Sequence, residues 1–393
     1  MGISLNFTRI ALRRLALVFV GLLLAACQPL NFNLPGSGPS INTRAPVPVA
    51  LLVPYGSGGA GEEGLARSLE NAARLAIADL DGVTIDLRVY PTGGNSDRAA
   101  AAAVKAVNDG AKIILGPVFG DAANSAGLAV ANSNINVLAF SNNTRIAGGN
   151  VFVLGNTFEN TAQRLVSFGA SQGKTRVLVV HPNTTVGEIG RDAVLTALSR
   201  SSARSVGQVG YEASQQGVVS AVSAIADTAR NNQADTIFFT SDTLGGLPLL
   251  TQMLPENRIS PTQFQFMGLT RWDIPAGTLD LPGVQNGLFA MPDPALAARF
   301  AQRYNAAYGS NPHPIAGLAY DGIAAIGALV ASGNSNALTR GALTQSSGFR
   351  GVNGVFRLRN DGTNERALAV ARITNRAVTI VSPAPSGFGL AGF

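Results

Sequence analysis

Pro48-Val49-Ala50-Leu51-Leu52-Val53-Pro54-Tyr55-Gly56-Ser57-Gly58-Gly59-Ala60-Gly61 is the stretch on which the fold turns. Its first half is a continuous apolar run, as a strand covered on both faces must be. Its second half is a glycine loop. Beyond it, residues 62–80 place Leu65, Leu69, Ala72, Ala73, Ala76 and Leu80 on one helical face. Strand, loop and amphipathic helix in that order open an α/β unit with a parallel sheet.

Outward from there the same alternation repeats. Strands are predicted at 83–90, 113–115, 136–140 and 151–154, with helices at 96–108 and 121–132 between them. A second series follows, with helices at 159–172, 187–199, 218–231 and 244–254. Its strands fall at 175–181, 205–211, 236–240 and 264–268, and Gly287-Leu288-Phe289-Ala290 follows. Strands separated by 10–15-residue helices imply doubly wound sheets with helices on both faces. Two further helices, 294–308 and 315–331, and a short one at 337–343 precede antiparallel strands at 354–359, 367–374 and 378–381. Asn360-Asp361-Gly362 supplies the hairpin turn.

The N-terminus carries an address. Arg9, Arg13 and Arg14 precede an apolar segment that ends at Leu24-Ala25-Ala26-Cys27. That segment is too short to cross a bilayer and has the layout of a signal peptide. Leu-Ala-Ala-Cys resembles the lipobox of bacterial lipoproteins, and Cys27 is the only cysteine of 393 residues. The resemblance implies cleavage after Ala26 and acylation of Cys27, which anchors the chain in a lipid bilayer. Gln28 in the following position implies the outer membrane, with the protein facing the periplasm. Arg13-Arg14 leaves twin-arginine export open beside the general route. The segment 27–46, rich in Pro, Gly, Ser and Asn, reads as a flexible tether.

Composition removes several function classes. The formal charge is +6, but taking Arg9, Arg13 and Arg14 from 29 basic residues leaves 26 against 23 acids. No basic cluster follows, so a nucleic-acid partner is not expected. With Cys27 acylated, the fold has no disulfide and rests on packing. Hydrophobic residues make up 46% of the chain, more than one ordinary core uses over about 350 residues, so two domains are expected.

The motifs that carry chemistry are few. Gly56-Ser57-Gly58-Gly59-Ala60-Gly61 fits G-x-G-x-x-G. However, two residues separate it from the strand, and the second strand ends at Val89-Tyr90 without the acid that would take a ribose. No cofactor is expected. His181 and His313 are the only histidines and stand far apart, so a metal site or a Ser-His pair lacks parts. Loops outside the carboxyl ends of strands bind ligands in open α/β sheets. They supply the candidates here: Tyr55, Gly116, Pro117, Phe119, Ser141, Asn142, Asn143, Thr185 and Asp242. Asp242 reads more readily as a helix N-cap in Ser241-Asp242-Thr243 than as a ligand group. Trp272, beside Arg271, either closes over a cleft or packs beneath a crossover.

The order of short motifs then carries a resemblance. Val49-Ala50-Leu51-Leu52-Val53-Pro54 opens the series. Gly116-Pro117 follows the third strand, Ser141-Asn142-Asn143 the fourth, and Phe152-Val153-Leu154 comes next. Phe300-Ala301-Gln302-Arg303-Tyr304, Ala319-Tyr320-Asp321-Gly322 and Gly351-Val352-Asn353-Gly354 close it. Over 47–381 this resembles the leucine-binding-protein-like, type I periplasmic binding fold. The resemblance implies two doubly wound lobes, three crossovers and a ligand cleft. Lobe one would be 47–155 with 293–334, and lobe two 156–292 with 335–381, leaving 382–393 as a tail.

One branch of that family feeds amino acids to an ABC permease. The resemblance would put such a ligand on Gly116–Phe119, Ser141–Asn143 and Asp242, but the tyrosine usual after the first strand of lobe two is absent from Pro182-Asn183-Thr184-Thr185. A second branch is similar to the LpoA-type lipoprotein activators of penicillin-binding proteins, whose partner is a peptidoglycan synthase. The expectation from the sequence is a non-enzymatic regulator of the second kind, with a solute-binding lipoprotein as the alternative.

Overall fold

The computed structural model describes residues 38–388. The expected signal peptide, Cys27 and most of the tether lie outside them.

The first lobe is built from β1 (Val47–Val53), α1 (Ala60–Ala78), β2 (Ile85–Pro91), α2 (Ser96–Asn108), β3 (Ile113–Leu115), α3 (Gly120–Ala129), β4 (Val137–Ala139) and β5 (Val151–Val153). Its five strands run parallel in the order β2-β1-β3-β4-β5. Val49, Ala50, Leu51, Leu52 and Val53 are all buried, which is why the opening run carries no polar alternation. Alanine has a structural use here. Ala99, Ala102, Ala103 and Ala106 of α2 and Ala122, Ala123 and Ala126 of α3 share one core with Leu52 and Ile114, and small side chains let the two helices approach closely.

The second lobe comprises α4 (Phe158–Ser171), β6 (Arg176–Pro182), α5 (Thr185–Ser199), β7 (Arg204–Tyr211), α6 (Gln215–Asn231), β8 (Thr236–Phe239), α7 (Leu247–Glu256), β9 (Gln265–Gly268) and β10 (Leu288–Met291). Side chains at Thr157, Thr184 and Ser214 cap α4, α5 and α6 by accepting from Asn160, Gly187 and Gly217 N–H. The chain then returns through α8 (Pro294–Tyr308), α9 (Gly317–Ala331), α10 (Arg340–Leu343), β11 (Phe349–Gly351), β12 (Gly354–Leu358) and β13 (Asn364–Arg366). It ends with β14 (Ala369–Thr374) and β15 (Ala377–Ser382). The second sheet has the order β15-β14-β10-β9-β8-β6-β7, with β14 antiparallel to β10 and β15 antiparallel to β14. Sheet β11-β12-β13 is antiparallel throughout.

Three expectations are amended. Segment 335–358 does not belong to lobe two: Leu338, Leu343, Phe349, Phe356 and Leu358 join the core of Val49, Leu51 and Ile323. Lobe two takes only β14 and β15 from the end of the chain, because only these pair with its sheet. The turn at Asn360-Asp361-Gly362 is real, but it joins β12 to the short β13. Residues 367–374 do not complete that hairpin; their strand is drawn off to β10. Finally, the described end of the tether is fixed to lobe one. Ile41 is buried in its core, and Gly38 exchanges two hydrogen bonds with the Asn134 side chain, of 2.8 and 2.7 Å.

The crossovers place the functional edge. The first leaves the carboxyl end of β5 and the second the carboxyl end of β10. The third enters β14 at Ala369, opposite Met291, again at the carboxyl end of β10. The lobes are therefore joined at the carboxyl ends of their parallel strands, where loop residues can converge on a ligand.

Candidate functional site

On the lobe-one edge, Gly116 holds φ +90° while a Cβ would sit 2.2 Å from Leu52 O. Only glycine fits there. It steers the chain into Pro117 and then to Phe119, which precedes α3 and is 36% exposed. After β4, Ser141 is buried and its Oγ accepts from Asn143 N at 3.1 Å, while Asn143 Oδ1 accepts from Arg145 N at 3.0 Å. Asn142 is exposed and makes no side-chain hydrogen bond among the described residues. Tyr55 is turned inward. Its hydroxyl donates to Glu70 Oε2 at 2.9 Å, and burial together with that carboxylate pushes its pKa up to about 12.

On the lobe-two edge, Thr185 opens α5 behind its cap, Thr184. Asp242 does not cap a helix. Its Oδ1 accepts from Leu244 N at 3.1 Å, closing a turn, and α7 begins only at Leu247. Beside it lies a cavity of about 590 Å³ whose wall includes Thr184, Tyr211, Ser241, Asp242, Gln215 and Gln252. Tyr211 Oη and Ser241 Oγ are 2.6 Å apart, and burial raises the Tyr211 pKa. The sequence pointed to Thr185 and Asp242 but missed Tyr211 and Ser241. Tyr211 ends β7, the edge strand, and only the sheet order brings it beside the loop after β8.

Trp272 leaves the candidate set. It is fully buried in the lobe-two core with Phe239 and Phe266, and its ring fills the space left by two glycines. A Cβ at Gly268 or Gly287 would lie 2.0 or 2.2 Å from it. Of its two sequence alternatives, packing is the one the structure takes.

The glycine loop after β1 is occupied by the protein itself. Gly56 N donates to Glu63 Oε1 at 2.6 Å and Gly59 N to Ser57 Oγ at 3.2 Å. Glu62 and Glu63 place negative charge at the start of α1, where a dinucleotide phosphate would meet repulsion. His181 is buried at the end of β6 and His313 adjoins Ser68. Among the described residues no group of three His, Cys, Asp or Glu is placed to hold a metal.

The rim also carries apolar side chains. Val186 is 63%, Leu244 85% and Ile274 42% exposed. All three follow carboxyl ends of lobe-two strands.

Solved structures share this architecture. A branched-chain amino acid ABC transporter periplasmic ligand-binding protein from Burkholderia xenovorans LB400 aligns with TM-score 0.69 and 17% identity, over 86% of this chain and 96% of that one. An ABC transporter substrate-binding protein from Desulfitobacterium hafniense, in complex with Leu, aligns with TM-score 0.64 and 15% identity, over 86% and 100%. A solute-binding protein from R. palustris, in complex with benzoate, aligns with TM-score 0.56 and 16% identity, over 88% and 98%. No curated protein matches the sequence. The family model described as periplasmic binding protein matches residues 46–377. With a sheet in each lobe and three crossovers at the carboxyl ends of their strands, the chain belongs to the periplasmic binding protein family, whose members are non-enzymatic ligand binders of the type I fold.

Proposed function

We propose that this chain captures a small solute between its lobes and delivers it to an ABC permease. The observation that carries the proposal is a cavity of small-molecule size walled by lobe two alone, at the carboxyl ends of β6, β7 and β8, where Asp242, Ser241 and Tyr211 would hold the solute on the edge at which the crossovers join the lobes. The bound leucine and benzoate of its structural neighbours support the same use of the fold. Asp242 suits a ligand with an ammonium or hydroxyl donor, an amino acid being the simplest. A thermal-shift screen of amino acids, aromatic acids and small polyols tests the proposal. Saturation at 100 times Kd adds about 2.7 kcal/mol of stability. Asp242→Ala should abolish the shift of an amine-bearing solute.

A second reading is regulation by protein contact, with a peptidoglycan synthase as partner. One observation favours it: Ser141 and Asn143, with Asp242 through its Oδ1, spend hydrogen bonds within their own loops, while Phe119, Val186, Leu244 and Ile274 face solvent on the same edges. A solute screen without any shift, together with direct binding of a purified synthase lost in Leu244→Ser, would replace the first reading by the second. In either case we place the chain on a lipid anchor at Cys27, facing the periplasm and more suited by Gln28 to the outer membrane. Loss of membrane fractionation in Cys27→Ser checks the anchor, and separation of the two membranes checks the address.

A further inference from the structure

A second cavity, of about 580 Å³, lies between α4, α5 and the β12–β13 turn, with Thr144 of the loop after β4 on its wall. Both lobes build it. Helices α4 and α5 belong to lobe two, while Asp361 and Thr363 stand on the turn attached to lobe one. Pro385, in the segment after β15, adds a further wall. That segment runs from lobe two back to lobe one, where the Arg357 guanidinium lies 4.5 Å from the Phe388 ring.

The charges around this cavity do not balance. Glu365 answers Arg357 and Arg359, and Asp321 answers Arg366. Asp361 stays low in pKa: its burial works upward but is outweighed by the Thr363 hydrogen bonds and the nearby Arg359 charge. Glu159 accepts from the Thr144 hydroxyl at 3.0 Å. Arg164 and Arg200 stand on the cavity wall, neither in an ion pair among the described residues, and the lining holds four arginines (Arg164, Arg200, Arg359, Arg366) against three acids (Glu159, Asp361, Glu365), an excess of one positive charge. Arg164 is held rigidly: Nε donates to Leu368 O at 2.7 Å, and Nη2 to Ser382 Oγ at 2.6 Å and Pro383 O at 3.2 Å. Its Nη1 has no protein partner among the described residues. Arg200 makes no side-chain hydrogen bond at all among them. A half-buried guanidinium, fixed by neutral oxygens and lacking a counter-ion, favours an anion beside it.

We propose that this cavity is a second ligand site, for a small oxyanion whose carboxylate or phosphate is met by Arg164 and Arg200. The remainder of the ligand lies along Gln163 and Thr196. Neither arginine lines the cavity beside Asp242.

Calorimetric titration of the full chain with succinate and with inorganic phosphate, at constant ionic strength, tests it. The expected result is saturable binding of at least one probe, weakened about tenfold or more in Arg200→Gln and unchanged in Arg44→Gln, an exposed arginine far from the cavity in sequence. Arg200→Gln breaks no bond of the fold, so its failure to bind is not a failure to fold. Arg164→Lys, which keeps the charge but not the planar fork, should weaken binding as well. No saturable heat with either probe, or equal affinity in wild type and Arg200→Gln, overturns the proposal.

Discussion

Arg366 Nη1 lies 2.8 Å from Asp321 Oδ2, with 3% and 0% of the two side chains exposed. The pair joins three parts of the chain that must meet for two lobes to exist. Asp321 sits on α9 and also accepts from Val352 N at 2.8 Å and Asn353 Nδ2 at 3.1 Å. Arg366 precedes the third crossover, and its Nε donates to Leu154 O at 2.7 Å, on the first crossover. Its guanidinium also lies 4.7 Å from the Phe356 ring.

Removing one partner should therefore be severe. Asp321→Ala leaves a buried guanidinium uncompensated and should cost about 3–5 kcal/mol in urea unfolding. The double change Asp321→Leu with Arg366→Met should cost less than Asp321→Ala alone, because no lone charge remains. Gly351→Ala should reproduce part of the loss, since a Cβ there would come within 2.0 Å of Asp321 Oδ1. Combined with Asp321→Ala it should add little. Full additivity would show that Gly351 acts elsewhere.

Glu365 predicts an acid-side weakness. Burial pushes its pKa up, but hydrogen bonds from Arg359 and Arg357 outweigh that and hold it below the ordinary value of 4.5. A depressed folded pKa contributes stability that is whole above the unfolded value and lost as pH falls through the folded one. The stability gap between wild type and Glu365→Gln should be constant above about pH 5.5 and close as pH falls below about 4.5. A gap that persists unchanged to pH 3, roughly, would mean that shape and not charge holds this site.

The sequence made the lobes legible because their strands are buried on both faces, and a run such as Val49–Val53 has no other reading. It also marked Gly116 and Asp242 as candidates, since both follow such runs closely. What it hid was non-local pairing. β13 is three residues, Asn364–Arg366, all polar and all buried, and polar residues carry no strand signal. Their burial is compensated by Asn364 Nδ2 bonding to Val153 O and Gly155 O, each at 2.8 Å. That arrangement depends on the first crossover some 200 positions away. Tyr211 was hidden for a related reason: its neighbour Ser241 is set by sheet order, not by sequence proximity.

Gly116 offers a test of the lobe-one edge. Its φ of +90° is costly for any other residue, and Leu52 O blocks a Cβ. Gly116→Ala should lose at least about 1–3 kcal/mol. It should also displace Phe119 and Ser141, so that solute affinity falls more steeply than stability. Equal loss of both would mean that the loop only supports the fold.

Trp272 is the one tryptophan of the chain, so its fluorescence reports a single place. It is fully buried, 6.3 Å from the Phe239 ring, and its Nε1 has no hydrogen-bond partner among the described residues. Its emission should be blue-shifted and resist iodide quenching. A solute at the carboxyl edges should leave it nearly unchanged, since core packing, not the ligand, surrounds the ring. Trp272→Ala should cost about 3–5 kcal/mol by opening a cavity. Trp272→Phe should cost much less, because losing part of the ring also removes an N–H whose burial without a partner costs about 1–3 kcal/mol. If a solute that raises the melting temperature also shifts the emission strongly, the indole meets the ligand after all. The cleft would then extend to the floor of lobe two between Gly268 and Gly287.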